Sequence, residues 1–170
     1  MLFPLDALVR TPAVVGAVSL LAIPSSSIPA SVHPILVKSP LTHMIIGGIA
    51  SSGGGLTAAT LSTWTPSWSF STPLLFRAET GIWGSLDTWA GSLVAAVYGF
   101  VTGHEAFSGV ADALETAGLI SAEGIKMDAL QAQALVTAIL TVLFGVRAWK
   151  VHWATDAVPS DEKDEKSKEQ

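Results

Sequence analysis

The stretch that decides the fold covers residues 39–76 and reads SPLTHMIIGGIASSGGGLTAATLSTWTPSWSFSTPLLF. Its 38 residues include no Asp, Glu, Lys or Arg. An uncharged, largely apolar run longer than about 18 residues predicts a membrane span. Gly53, Gly54 and Gly55 lie at its centre, and each glycine costs roughly 1 kcal/mol in a helix interior relative to alanine. We therefore expect a spanning helix that is broken at the glycine triplet.

Three further runs lack charged residues, and the composition agrees with them. Residues 11–37, 88–104 and 129–146 form uncharged runs of 27, 17 and 18 residues. Only 14% of the chain is charged and 49% is hydrophobic, whereas soluble domains are about 25% charged. The alternative, a compact soluble helical domain, would leave too little polar surface. The sequence predicts an all-α integral membrane protein with about four transmembrane helices, at residues 12–28, 41–61, 88–102 and 129–149.

The chain divides into three predicted regions. Residues 1–11 form an N-terminal segment, residues 12–153 a transmembrane helical domain, and residues 154–170 a charged tail. The tail ends in PSDEKDEKSKEQ, a mixed-charge composition typical of disorder. Within the domain, Phe107, Val110, Ala111 and Leu114 recur at helical spacing and predict a short amphipathic helix before the last span. Asp128 begins an Asp-x-x-Gln pattern that predicts the start of that span.

The first hydrophobic run has three interpretations. A retained span would begin at Pro12, since proline suits the first turn of a helix. Alternatively, Arg10 followed by an apolar run and the small residues SSSIPAS has the outline of a cleaved signal peptide. A re-entrant or interfacial segment is the third possibility. If all four helices span, the positive residues favour cytoplasmic termini by four to two: Arg10, Arg77, Arg147 and Lys150 against Lys38 and Lys126.

Small residues recur every four positions on two of the predicted helices. They are Gly47, Ser51, Gly55 and Ala59 on one helix, and Gly91, Ala95, Gly99 and Gly103 on the next. Such stripes let two helices approach closely in lipid, so they predict helix packing. Packing needs one small residue per turn and does not explain the triplet, for which we favour a hinge or pore bend. The nearby hydroxyls of Ser51, Ser52 and Thr57 could replace part of an ion's hydration shell.

Other chemistry is not indicated. The predicted membrane core holds no ionisable side chain, which disfavours proton-coupled transport. His43 and His104 lack partners at metal-ligand spacing, so no metal site is expected. Phosphate-loop and hydrolase motifs are absent, so an enzyme is not expected. The chain has no cysteine and no basic patch for nucleic acid. Passive permeation along a neutral path lined by hydroxyls and carbonyls is the remaining prediction.

Residues 38–55, with Lys38-Ser39-Pro40-Leu41 followed by GGIASSGGG, resemble the fifth transmembrane helix of the trimeric intracellular cation channels. WAGSLVAAVYGFVTGH and AQALVTAILTVLFGVRAW are similar to the sixth and seventh helices of that family. Near the N-terminus, Phe-Pro-Leu-Asp at residues 3–6 resembles a stretch at the fourth helix. Alternatively, residues 6–10 would overlie its Lys-Glu-Val-x-Arg motif, of which Arg10 is kept. The resemblance covers residues 3–153 and the last four of seven helices.

The resemblance implies a function, a location and partners. The function is a homotrimeric potassium channel of the endoplasmic reticulum or another endomembrane, supplying counter-ion current for calcium movement, with a cytoplasmic C-terminus. Gly53, Gly54 and Gly55 would bend the pore helix. No cofactor is required, and Arg10 and Lys38 are candidates for contact with an anionic lipid such as a phosphoinositide. The alternative is a non-conducting membrane scaffold or assembly subunit, in which the small-residue stripes are docking faces.

Overall fold

The structure is a computed structural model that describes residues 2–22, 33–67, 69–73, 76–77, 81–121 and 126–152. The described residues are helical, with loops between the helices and no strand. A 3₁₀ turn, Glu105–Phe107, precedes α6. The α-helices are α1 (Phe3–Ala22), α2 (Pro34–Val37), α3 (Pro40–Leu61), α4 (Gly81–Gly84), α5 (Leu86–Val101), α6 (Ser108–Thr116) and α7 (Ala129–His152). The predicted charged tail, 154–170, lies outside the described residues.

The four long helices form one bundle. α3 lies mainly against α5, while α1 packs on α7 and α3, and α5 also contacts α7. Small and branched apolar side chains fill the interior, because close packing of the helices leaves little room between them. The buried core includes Ala7, Val14 and Val18 of α1, Ala90 and Val94 of α5, and Ala132, Val136 and Leu140 of α7.

Three of these helices are long and apolar enough to cross a membrane: Phe3–Leu21, Pro40–Leu61 and Ala129–Val151. α5 is apolar but has only 16 residues, which is about 24 Å of helix against a hydrocarbon core of about 30 Å. The outer faces carry exposed large apolar side chains, among them Leu8, Ile45, Ile49 and Val142. By length and composition, three spans are therefore supported where about four were predicted.

α1 begins at Phe3, nine residues before the predicted start at Pro12. Pro12 lies inside the helix, where it lacks the N–H that would bond one turn back. The Asp6 amide already donates to the Leu2 carbonyl at 3.0 Å, and the Thr11 hydroxyl donates to the Ala7 carbonyl at 2.8 Å. The helix nonetheless continues through Pro12 as far as Ala22. The N-terminal residues are thus part of the bundle.

α3 is one uninterrupted helix from Pro40 to Leu61, so the predicted break at the glycine triplet is wrong. Glycine lowers helix propensity but, unlike proline, keeps its N–H. Ser39 caps the start of α3 and Ser62, with φ of +52°, ends it. The Thr57 hydroxyl also donates to the Gly53 carbonyl at 2.7 Å. In a low-dielectric surrounding, leaving backbone N–H and C=O groups unpaired would cost more free energy than keeping the glycines in a helix.

The chain between α5 and α7 also follows the sequence pattern. α6 occupies the region where the spacing of apolar residues predicted a short amphipathic helix. The Asp128 carboxylate accepts from the Gln131 amide at 2.8 Å, at the start of α7. This is the first half of the capping arrangement that the Asp-x-x-Gln pattern predicted.

Candidate functional site

A cluster of partly exposed charged residues lies where the four long helices meet and is centred on Arg10 of α1. Its Nε donates to Asp6 Oδ1 at 2.9 Å, and its Nη2 lies 3.5 Å from Asp87 Oδ1. Nη1 donates to the Ser51 carbonyl of α3, and the guanidinium carbon lies 5.5 Å from the centre of the Phe144 ring of α7. One guanidinium therefore contacts all four long helices of the bundle.

Asp87, in the first turn of α5, is shared by two arginines. Besides Arg10, Arg147 of α7 donates from Nη1 to both carboxylate oxygens, at 3.2 and 3.3 Å. The α5 dipole adds to this stabilisation, since an acidic side chain is favoured at a helix N-terminus. With Asp6, the charged cluster contains two cations and two anions. Its formal net charge is therefore zero.

The charged cluster bears on one prediction. The sequence analysis expects no ionisable side chain in the membrane core and places Arg147 near the end of the span 129–149. The candidate span Phe3–Leu21 begins earlier than predicted and includes Asp6 and Arg10, and Ala129–Val151 includes Arg147. Arg10 is seven residues into α1, about 10 Å along the helix axis from Phe3. Ionisable residues within membrane-spanning helices commonly pair with each other and mark candidate functional sites, so the charged cluster is a candidate site.

A cleft of about 220 Å³ opens beside the charged cluster. It lies between the second half of α3 and the start of α5, and part of α1 closes one side. Its lining combines hydroxyl groups, one carboxylate, one guanidinium and small residues: Arg10, Ser52, Gly55, Leu56, Ala59, Gly84, Ser85, Asp87 and Thr88. The cleft thus joins two of the predicted pore residues, Ser52 and Gly55, to Asp87.

The glycine triplet lies on the surface of the chain. A Cβ added at Gly54 or Gly55 would meet no atom within 4 Å, and one at Gly53 would meet only the Ile49 side chain, at 3.4 Å. α5 explains this, because it begins at Leu86 and the second half of α3 extends past that end. The contacts within one chain therefore do not require glycine at Gly54 or Gly55.

The three predicted hydroxyl residues have different surroundings. The Ser52 hydroxyl donates to the Gly48 carbonyl at 2.7 Å and accepts from the Thr88 hydroxyl at 2.8 Å. Ser51 is buried against Gly91, and its hydroxyl has no partner among the described residues. Thr57 is exposed on α3. Of the three, only Ser52 lines the cleft.

α3 and α5 pack in antiparallel fashion through their small residues. A Cβ added at Gly47 would overlap the Ala95 side chain and lie 2.7 Å from the Gly91 carbonyl oxygen. One added at Gly91 would overlap the Ser51 side chain. These residues are the ones that the four-residue spacing predicted. Gly48 was not predicted, although its Cβ would meet the Ser92 hydroxyl at 2.7 Å.

The second half of the α5 stripe has other neighbours. Gly99 faces the ring of Phe107, where an added Cβ would come 2.8 Å from Phe107 Cδ2. Gly103 has φ of +70°, a left-handed conformation that glycine adopts without strain, and it follows the end of α5. These two glycines therefore accommodate the 3₁₀ turn and the helix end, and not α3.

At the opposite end of the bundle, Lys38 and two histidines lie near the 3₁₀ turn. The Lys38 ammonium is 3.5 Å from a Glu105 carboxylate oxygen, with both side chains exposed. His43 is fully buried, and its ring centre lies 4.5 Å from that of His104. No group of three or more metal-ligating side chains occurs among the described residues.

Sequence reasoning missed Asp87 and Arg147 as members of the site. Each was read as the end of a charge-free run, although the two lie 60 residues apart and pair in the fold. The sequence did contain a signal for this pairing. Arg10, Asp87 and Arg147 all lie at or near the ends of predicted spans, and the predicted topology places these ends on the same side of the membrane. Oppositely charged side chains at the same membrane depth tend to form ion pairs.

Comparison of the chain with protein-family models, with curated proteins and with solved structures gave no match. The charged cluster, the cleft and the exposed glycines are therefore the features that bear on function.

Proposed function

We propose that this chain is a membrane-embedded subunit of a homo-oligomeric channel for monovalent cations, potassium above all. The observation that carries the proposal is the cleft beside Asp87. Hydroxyl and carboxylate oxygens can replace part of the hydration shell of a cation, and Ser52, Ser85, Thr88 and Asp87 line the cleft. A cleft with a carboxylate and three hydroxyl groups in its lining, within an otherwise apolar bundle, supports ion passage better than it supports a purely structural core.

The charge balance of the cleft fits passage rather than tight binding. Arg10 and Arg147 largely neutralise Asp87, so a cation in the cleft would experience only a weak net attraction. Conduction requires sites that admit an ion and also release it. A monovalent cation suits such a site better than a divalent one, which needs several anionic oxygens for binding.

The exposed glycines support assembly from several copies. Gly54 and Gly55 leave open space beside the cleft, where a neighbouring subunit could approach the α3 backbone closely. In this proposal the ion path runs along the cleft and is completed by the next subunit. A trimer, an endoplasmic reticulum location, a cytoplasmic C-terminus and a counter-ion role in calcium movement follow from the family resemblance and belong to the same proposal.

The proposal includes binding of an anionic lipid, for which Lys38 is a better contact than Arg10. The Arg10 guanidinium already has two carboxylates and a carbonyl as partners. Lys38 is exposed and has one carboxylate partner, at 3.5 Å. A lipid phosphate could compete with Glu105 for Lys38 at the surface, whereas reaching Arg10 would require breaking the charged cluster.

Filling the cleft is expected to stop ion flux without unfolding the chain. In Gly55→Leu a branched side chain is added beside the cleft, where its Cβ meets no atom within 4 Å. We expect potassium flux into liposomes to fall by about tenfold or more. A fall of this size corresponds to a barrier raised by at least about 1.4 kcal/mol. The measurement is potassium uptake by liposomes containing the purified chain, followed by single-channel recording in planar bilayers.

Gly16→Leu is the matched control for this experiment. Gly16 lies in α1, and a Cβ there also meets no atom within 4 Å, but it does not line the cleft. We expect Gly16→Leu to conduct like the wild type, with both variants retaining wild-type helicity. Equal flux in wild type and Gly55→Leu would remove the cleft from the ion path.

The second candidate is a non-conducting scaffold, and the open space at Gly54 and Gly55 favours it equally. In that case wild-type protein that is folded and inserted carries no current. Gly54→Leu would disrupt oligomers seen by chemical cross-linking in liposomes, because the added side chain would hold two helices apart. Wild-type current excludes this candidate, whereas silence together with Gly54-dependent oligomers favours it.

A further inference from the structure

The buried histidine of α3 has a fixed proton and a lone pair without a partner. His43 is fully buried, and its Nδ1 lies 3.0 Å from the Ser39 carbonyl oxygen. Because a carbonyl only accepts, the proton of the neutral ring lies on Nδ1. Nε2 is therefore a bare acceptor, and it has no hydrogen-bond partner among the described residues. Buried polar atoms without a partner are rare and require a physical explanation.

His104 has the opposite tautomer. Its Nδ1 accepts from the Ala106 amide at 3.2 Å and so caps the 3₁₀ turn. The proton of this neutral ring must therefore lie on Nε2. The two imidazole rings meet edge to face, with centres 4.5 Å apart and planes at 62°. Phe107 packs on the same cluster, with its ring centre 5.5 Å from that of His43.

The surroundings disfavour a positive charge on His104. Burial lowers the pKa of His104, and His43 lowers it further, while Glu105 acts in the opposite direction. Glu105 is itself paired with Lys38, at 3.5 Å, and the side chain of Lys126 approaches Gly103. The titratable groups that face His104 are His43 from α3, Glu105 from the turn and, across a shared cleft, Tyr98 of α5.

A proton added to His104 would remove the cap. It would bind Nδ1, the atom that accepts from the Ala106 amide, and would turn this acceptor into a donor facing another donor. The new cation would also lie beside His43, whose ring centre is 4.5 Å away and which already disfavours a charge on His104. Both effects weaken the docking of the turn and of Phe107 on α3 and α5.

We propose that the contact between His43 and His104 is a proton-sensitive contact, which holds residues 105–107 against α3 and α5 at neutral pH and releases them in acid. This inference does not depend on ion conduction. Release would uncover Gly99 of α5, which Phe107 covers in the docked state, and would free the 3₁₀ turn together with the start of α6.

The direction of the pH dependence follows from the lowered pKa. In the undocked segment His104 would titrate near its ordinary value of about 6.5. Because docking lowers the pKa of His104, docking is fully stable above about pH 6.5. It weakens progressively as the pH falls towards the lowered value. Each unit by which docking lowers the pKa of His104 reduces the docking equilibrium constant in acid by about tenfold.

Hydrogen exchange of the chain in lipid nanodiscs tests this proposal. Protection of the Ala106 and Phe107 amides, corrected for the intrinsic pH dependence of exchange, is compared at pH about 7.5 and about 5, on either side of the ordinary histidine value. We expect protection of these amides to fall in acid in the wild type, with α5 amides staying protected. His104→Asn keeps a side-chain oxygen that can cap the turn but does not titrate, so its protection should not depend on pH.

His33→Asn is the matched control, because His33 caps α2 with the same kind of bond, to the Ile35 amide at 3.3 Å. It should retain the wild-type pH dependence at residues 105–107. His104→Ser provides a second capping residue should asparagine perturb the fold. The proposal is overturned by unchanged wild-type protection in acid, by simultaneous loss of protection in α5, or by the same acid loss in both His104 variants.

Discussion

Replacing Asp87 with asparagine is expected to destabilise the folded chain by about 2–3 kcal/mol. Breaking a buried ion pair by removing one partner costs about 3–5 kcal/mol, and partial exposure of the Asp87 side chain, at 28%, reduces this. The variant removes the carboxylate that Arg147 contacts and leaves Arg10 with Asp6 and the Ser51 carbonyl as partners. The measurement is thermal unfolding of the purified chain in detergent micelles, followed by the loss of helical circular dichroism.

Asp6→Asn is the matched control, because it removes a carboxylate of the same charged cluster. Asp6 is more exposed, at 46%, and its ion pair within the described part of the chain is with Arg10, four residues further along α1. Exposed pairs of this spacing contribute about 0.3–0.5 kcal/mol, so its stability should stay close to that of the wild type. Equal stability of the two variants would show that Asp87 does not hold the helices together.

The positions of α3, α5 and α7 could be predicted from the sequence because they depend on local properties. Charge-free length and apolar composition belong to each segment alone, and the observed α3 begins at Pro40, within one residue of the predicted start. For α1 the sequence predicts too late a start, because proline at residue 12 suits the first turn of a helix. The interpretation of Asp6 and Arg10 as residues outside the membrane followed from that placement.

The charged cluster could not be located in the same way, because it depends on how the helices dock. Arg10, Asp87 and Arg147 come from three helices. Neither spacing within one helix nor composition specifies which faces meet. The stripe at Gly47, Gly91 and Ala95 was readable, since close packing of two helices places a small residue at each turn on both. Gly48 was missed because the four-residue spacing of small residues selects only one residue per helical turn.

The glycine triplet shows why a glycine in a sequence can be misread. Gly47 and Gly54 lie on nearly the same face of α3, two turns apart, yet Gly47 packs on Gly91 while Gly54 faces open space. The difference arises from α5, whose first residue, Leu86, lies near the middle of α3. Only the length and direction of the partner helix distinguish a packing glycine from an exposed one.

The second large effect is expected for Gly47→Leu. Its Cβ would overlap Ala95 and come 2.7 Å from the Gly91 carbonyl oxygen, and a backbone atom cannot move aside as a flexible side chain can. Overpacking of this kind costs about 1–3 kcal/mol, occasionally more, and a leucine forces α3 and α5 apart over several turns. We expect a loss of about 3 kcal/mol or failure to fold, measured by thermal unfolding and by the yield of monodisperse protein.

Gly54→Leu introduces the same residue on the same face of α3, where no atom lies within 4 Å of the new Cβ. Replacing a helical glycine by leucine also improves helix propensity by up to about 1 kcal/mol, so this variant should be at least as stable as the wild type in micelles. If both variants lost stability alike, α5 would extend along the second half of α3, and the open space at Gly54 would be absent. If only Gly47→Leu loses stability, a flux or assembly defect in Gly54→Leu can be assigned to the exposed face and not to misfolding.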